Sequence, residues 1–398
     1  MAGALADLDQ ALQLDPEYPE AYNNRGATRQ AGGDLPGALE DFNKALELRP
    51  RYAEAWNNRG ISRHAQRDLA GAIADFDQAI QSDPMYVQAY NNRGATLHNL
   101  GNPAEAIPDF DRAIALAPSY AEAYSNRGEA RRALGDFRGA IADFDKALEL
   151  APEHAAPLIY HNRGAAYQSQ GDHRRALADF DRALAINPRH APTYNNRGST
   201  RHALGDLEGA LNDFDKALEL TPLPAAATIY HNRGGVRVTL GDSKGAILDY
   251  NRALELDPDL YVAYISRANA RFHQRDREGY RDYLRAFTIC PDLAAREIVR
   301  IVAADQKRDL EAVLKNCKKH LRINPADGIA LARRGLSMLL HGRVEDAEAD
   351  FAAIASVCPE ILFPLQLSKT EIARQCNQAR LNGRDGKQLQ ARSWTCEL

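Results

Sequence analysis

Residues Ala53–Pro84 read AEAWNNRGISRHAQRDLAGAIADFDQAIQSDP, and this stretch decides the fold. Trp56, Gly60 and Arg63 fall at helical spacing on one face of its first half. Ala72, Phe76 and Ala79 do the same in its second half. The spacing predicts a first helix, A, over Ala53–Ala65 and a second helix, B, over Leu69–Gln81. Small residues at Gly60, Ala72 and Ala79 let the two helices approach closely. Pro84 closes the unit because proline has no backbone N–H to donate.

The unit recurs. Its glycine returns as Gly26, Gly60, Gly94, Gly128, Gly164, Gly198 and Gly234, at spacings of 34, 34, 34, 36, 34 and 36 residues. Closing prolines run from Pro16 through Pro50, Pro84, Pro118, Pro152, Pro188, Pro222 and Pro258, and the series extends through Pro291, Pro325 and Pro359. The turn between helices is usually Gly-Asp, as at Gly135-Asp136, Gly171-Asp172 and Gly205-Asp206. Glycine tolerates the left-handed geometry that ends one helix, and aspartate caps the next. One such hairpin cannot bury its apolar face alone, so units must stack.

Trp56, Gly60, Ala72, Phe76, Ala79 and Pro84 reproduce the 34-residue pattern of the tetratricopeptide repeat family, which the chain resembles over nearly its whole length. The resemblance implies an all-α fold, a right-handed superhelical solenoid of helix-turn-helix repeats. Residues 1–18 read as an orphan second helix, aligning with Gly37–Pro50. Eight repeats are expected over 19–293, beginning near Pro19, Ala53, Val87, Ala121, Pro157, Ala191, Ala227 and Tyr261. The eighth is one residue short in its turn. Two divergent repeats follow over 294–361. The ninth has Ile301 where the glycine belongs, and the tenth regains Gly335, Ala347 and Phe351. A capping helix is expected over 362–383, with Ser368 and Glu371 in capping-box spacing, and a disordered tail over 384–398. Two extra residues before LIYHNRG and TIYHNRG read as longer linkers between repeats.

Composition narrows the function. The 398 residues carry 50 basic and 54 acidic side chains, a net charge of −4, which argues against a nucleic-acid partner requiring a basic stripe. No apolar run reaches the length of a membrane span. A start in mid-repeat fits a chain that has lost an upstream piece; the expected compartment is cytoplasmic. The five cysteines, Cys290, Cys317, Cys358, Cys376 and Cys396, form no CxxC pair and read as small packing residues. Nucleophile-and-base constellations, P-loops and glycine-rich nucleotide motifs are missing, so no catalytic residue, cofactor or metal is assigned.

With the helix A aromatic numbered as position four, an arginine stands at position seven, on the side facing helix B. Helix B carries an aspartate just before its aromatic: Asp41, Asp75, Asp109, Asp143, Asp179, Asp213 and Asp249. Pairs of the type Arg25–Asp41, Arg59–Asp75 and Arg93–Asp109 are expected as partly buried structural ion pairs. Position six is Asn24, Asn58, Asn92, Asn126, Asn162, Asn196 and Asn232, about 200° around the helix from the aromatic. The resemblance implies that helix A lines a concave groove, and hence a ladder of amides that can grip a peptide backbone whatever its side chains. Rungs about 10 Å apart would meet roughly every third residue of an extended peptide. The same asparagine could instead bond the neighbouring repeat. Position five (Asn23, Asn57, Asn91, Ser125, His161, Asn195, His231) is expected in the groove, as are solvated histidines at position twelve, His64, His98 and His202. Position two is acidic early (Glu20, Glu54, Glu122) and apolar later (Leu158, Val262).

The expected function is a non-enzymatic scaffold or adapter for a protein or peptide ligand, with the position-six asparagines as the contacts. Two alternatives come from other classes. One is the substrate-recognition array of a larger enzyme similar to O-GlcNAc transferases; the other is a structural array that self-associates through its terminal repeats. The lysine and arginine clamp of relatives that grip chaperone C-termini is not formed, because Asn, Ser or His and Glu or Gln occupy its positions.

Overall fold

The computed structural model describes residues 2–274, 276 and 278–290, and beyond them positions 315, 317–319, 321, 322, 331, 334, 335, 338, 346, 349, 350 and 353. Among the described residues every regular element is helical. The chain divides into two compact units, Met1–Pro188 and Arg189–Trp394. The first opens with α1 (Ala2–Leu14), followed by five hairpins: α2 (Pro19–Ala31) with α3 (Leu35–Leu48), α4 (Ala53–Ala65) with α5 (Leu69–Ser82), α6 (Val87–Asn99) with α7 (Pro103–Leu116), α8 (Ala121–Ala133) with α9 (Phe137–Leu150), and α10 (Ala156–Gln170) with α11 (His173–Ile186). The second contains α12 (Ala191–Leu204) with α13 (Leu207–Leu220), α14 (Ala227–Thr239) with α15 (Ser243–Leu256), and α16 (Tyr261–His273) with α17 (Gly279–Ile289).

Local chemistry sets the helix boundaries. Asp34, Asp68, Asp136, Asp172, Asp206 and Asp242 each accept a bond from the backbone N–H three residues on, which caps the B helices. Between the two helices of a hairpin the chain turns through a left-handed residue: Gly33, Gly101, Gly135, Gly171, Gly205 and Gly241 have φ between +78° and +86°. In the second hairpin Arg67 occupies that turn at φ +68°, where a side chain is strained. The two extra residues between repeats form 3-10 turns, Glu153–Ala155 and Leu223–Ala225, ahead of α10 and α14.

Each hairpin is closed by one aromatic ring. Phe42, Phe76, Phe110, Phe144, Phe180 and Phe214 are 0–1% exposed. Burying such a ring contributes about 2–3 kcal/mol. Each sits against the helix A glycine so closely that a Cβ on Gly60 would lie 2.7 Å from Phe76 Cε1. That contact is why glycine occupies a helix interior where it otherwise costs stability. Within each unit, A helices of successive hairpins touch one another, α2 with α4 through α8 with α10, and α12 with α14 and α14 with α16. No B helices pack together comparably among the described elements. The A helices therefore form the closer-packed layer of each unit.

Free Cys317 is buried and Cys290 half-buried, consistent with packing roles. Cys358, Cys376, Cys396, Ile301, the expected capping helix and the expected tail lie outside the described residues. No described helix is long and apolar enough to cross a membrane.

Candidate peptide-binding face of the A helices

The position-seven arginines form the expected pairs. Arg59 donates from Nε and Nη2 to the two oxygens of Asp75 at 2.9 and 2.6 Å, and Asp75 is 1% exposed. The same fork recurs at Arg25–Asp41, Arg93–Asp109, Arg127–Asp143, Arg163–Asp179, Arg197–Asp213 and Arg233–Asp249. The eighth unit preserves it as Arg267–Asp282 despite its one-residue deletion, and Arg334–Asp350 repeats it further on.

Two parts of this cluster are not apparent from the A–B pairing alone. The remaining arginine nitrogen, Nη1, reaches the preceding repeat: Arg25 to Asp9, Arg59 to Asn43, Arg93 to Asp77, Arg127 to Asp111, Arg163 to Asp145, Arg233 to Asp215 and Arg267 to Asn251. The signal was present, because an acid or amide follows the aromatic of helix B in repeat after repeat. A second arginine, at position eleven, also bonds the buried aspartate, as Arg63 does to Asp75 at 3.0 Å and Arg131 to Asp143 at 2.8 Å. The position-seven guanidinium thus ties three helices together, and the planar fork suits a carboxylate in a way lysine would not.

The position-six asparagines also reach backward. Asn58 Nδ2 donates to Asn23 Oδ1 at 3.0 Å, Asn92 to Asn57 at 2.9 Å, Asn126 to Asn91 at 2.9 Å, and Asn232 to Asn195 at 3.0 Å. The acceptor is position five of the previous A helix. Asn162 meets Ser125 there, which is too short to serve as acceptor. It donates instead to Glu129, one turn on, whose carboxyl burial pushes up in pKa. Asn24 is exposed and bonds no other A helix among the described residues. Asn196 accepts from neighbouring Asn195 at 3.4 Å.

A carboxylate fixes the direction of this chain. Asn23 Nδ2 donates to Glu54 at 3.2 Å, and Asn91 Nδ2 to Glu122 at 3.3 Å. Because a carboxylate only accepts, the Asn23 oxygen must face Asn58 and receive its N–H. The oxygens of Asn58, Asn92 and Asn126 are then left unspent among the described residues, whereas Asn232 also bonds the His231 ring.

Position five is not a groove position. Asn23, Asn57 and Asn91 are 0, 3 and 0% exposed, because the next A helix covers them. His231 has the same role, bonding Ser266 Oγ at 3.0 Å, and burial pushes its pKa down to about 4. The position-twelve histidines are half-buried rather than solvated. His64 pairs with Asn99 at 3.0 Å and His202 with Thr239 at 2.9 Å, and burial lowers the pKa of His98 and His202. Among the described residues no group of His, Cys, Asp or Glu could hold a metal ion.

Family comparison agrees with this geometry. Tetratricopeptide repeat profiles match residues 2–32, 26–87, 86–153, 119–189, 164–233 and 227–260. The chain belongs to the tetratricopeptide repeat family. As a tetratricopeptide protein it has the fold of a protein-interaction scaffold. No curated protein sequence matches it significantly. Among solved structures it is similar to a chain of the APC/C hetero-tetramer Cut9–Hcn1, with 17% identity and a TM-score of 0.54 over 70% of this chain. The match spans about half (54%) of that longer chain. A tetratricopeptide repeat protein from Parabacteroides merdae shares 20% identity with a TM-score of 0.50, covering 63% of this chain and 98% of that one. Both likenesses are of fold.

Proposed function

We propose that this tetratricopeptide chain is a non-enzymatic adapter that holds an extended peptide or a partner helix along the A-helix layer, with Asn24, Asn58, Asn92, Asn126, Asn162, Asn196 and Asn232 as contacts. The observation that carries this reading is the orientation of the amides. With one N–H spent on the previous repeat, Asn58, Asn92 and Asn126 each hold an unspent oxygen at a fixed angle. Peptide backbone N–H groups complement such a row, and the ligand's side chains need not be specified. Each bond contributes about 1 kcal/mol net, and peptide ordering offsets much of the sum, so micromolar affinity is expected.

The test is selection from a random peptide library with the whole chain, followed by hydrogen-exchange mapping of a selected peptide. Protection gained along the A helices supports the reading. Protection confined to B helices, or a library that gives no binder, sinks it.

A further inference from the structure

A tyrosine stands directly ahead of each of the first four A helices, and the third helical residue after it is an alanine, preceded in three of the four by glutamate: Tyr18-Pro-Glu20, Tyr52-Ala-Glu54, Tyr86-Val-Gln88 and Tyr120-Ala-Glu122. At the first junction the chain shows what these groups hold. The guanidinium of Arg49 lies over the Tyr52 ring, 5.0 Å from its centroid, and donates from Nη2 to Glu20 Oε1 at 2.7 Å. Aromatic face and carboxylate together make a seat for a cation.

The next junction, Tyr86 with Glu54, keeps the aromatic and the carboxylate and loses the arginine; at the one after, Gln88 stands beside Tyr120 in place of the carboxylate. Thirty-four residues after Arg49 stands Asp83, and thirty-four after that Ala117. Tyr86 is half-buried and feels both Glu54, the counterpart of Glu20, and Asp83; burial first and these acids second push its pKa up to about 12. Tyr120 donates its hydroxyl to Glu122 at 3.1 Å. Glu54 and Glu122 are exposed and have neutral bonding partners, with no cation bonded to either among the described residues. From residue 153 onward the linkers carry no tyrosine until Tyr261, and position two becomes Leu158, Pro192, Thr228 and Val262.

We propose that the junction at Tyr86–Glu54 binds an arginine or lysine side chain of a basic extended peptide, the cation taking the place that Arg49 fills at Tyr52. This rests on the adapter reading and names the charge of the ligand segment that the first unit prefers. Asp83 adds negative charge at this seat, whereas the neutral Gln88 leaves the Tyr120 junction without its carboxylate.

The experiment measures binding of two fluorescent nonapeptides to the full chain, one with arginine at position five and one with glutamine there. The chain is used as wild type, as Glu54→Gln, and as Asp83→Arg. Glutamine retains an oxygen to accept from Asn23, so the interlock of the A helices survives. Asp83→Arg supplies an internal cation as Arg49 does. The expected result is that wild type prefers the arginine peptide by about tenfold at low salt. Both variants should lose that preference, and binding of the glutamine peptide should stay unchanged. Equal binding of the two peptides to wild type, or a preference that survives in both variants, overturns the proposal. If library peptides still protect the A helices in that case, only the charge preference falls. If no peptide binds at all, the adapter reading falls with it.

Discussion

Asn92 donates its side-chain N–H to the side-chain oxygen of Asn57, 35 residues earlier, across 2.9 Å. One asparagine is therefore both a rung of the proposed ladder and a bolt between repeats. Truncating it leaves the buried Asn57 oxygen unsatisfied, so Asn92→Ala is expected to cost about 1–3 kcal/mol. Asn24→Ala, at an exposed side chain with no bond to another helix among the described residues, should lie within about 0.5 kcal/mol of wild type. Urea unfolding of both decides this, and equal losses would refute the interlock.

The buried aspartates differ in their guard. Asp143 is bonded by Arg127 and also by Arg131, whereas Asp109 is bonded by Arg93, with Leu97 at position eleven. Removing Arg93 strands a carboxylate that is 6% exposed, an expected cost of about 3–5 kcal/mol. Arg127→Ala leaves Arg131 in place and should cost roughly half as much. The order of the two melting temperatures is the check.

Arg67 sits at φ +68° in a turn where six other hairpins use glycine. Arg67→Gly removes the left-handed strain, partly offset by the entropy of glycine in the unfolded chain, for a net gain of about 0.5–1 kcal/mol. A fall in thermal stability would contradict this account of the turn.

Gly94 meets the Phe110 ring where a Cβ would lie 2.8 Å from Cε1. Gly94→Ala should destabilise by about 1–3 kcal/mol despite alanine's better helix propensity. In a Phe110→Leu background the same substitution should cost less, and a double-mutant cycle measures the difference. Strict additivity would show that the ring is not the obstacle.

His231 is held neutral by burial, its pKa lowered to about 4 from an ordinary 6.5. Between those values the unfolded chain binds a proton that the folded chain does not. Stability should thus be complete above about pH 6.5 and decline as pH falls toward 4, by an amount on the order of 2 kcal/mol from this group. Burial shifts His98, His190 and His202 in the same direction. Melting curves of wild type and His231→Gln from pH 4 to 7 should converge at the acid end; parallel curves would exclude the histidine.

Local order was legible because it repeats. Periodic Trp56, Gly60 and Phe76 marked two helices, Asp68 marked a cap, and a 34-residue recurrence required stacking. The Arg59–Asp75 pair followed from angular position on two helices of one hairpin. What the tertiary structure alone decided lies between hairpins. Helical angle places Asn57 near the exposed side of its own helix, yet the next A helix covers it and makes it an acceptor for Asn92. The third bond of Arg59, to Asn43, depends equally on how repeats stack. Residue spacing along a chain sets which side chains share a face, because backbone hydrogen bonding fixes the helix angle. Whether that face meets water or a neighbouring repeat depends on the packing of units far apart in sequence, and no local angle contains that information.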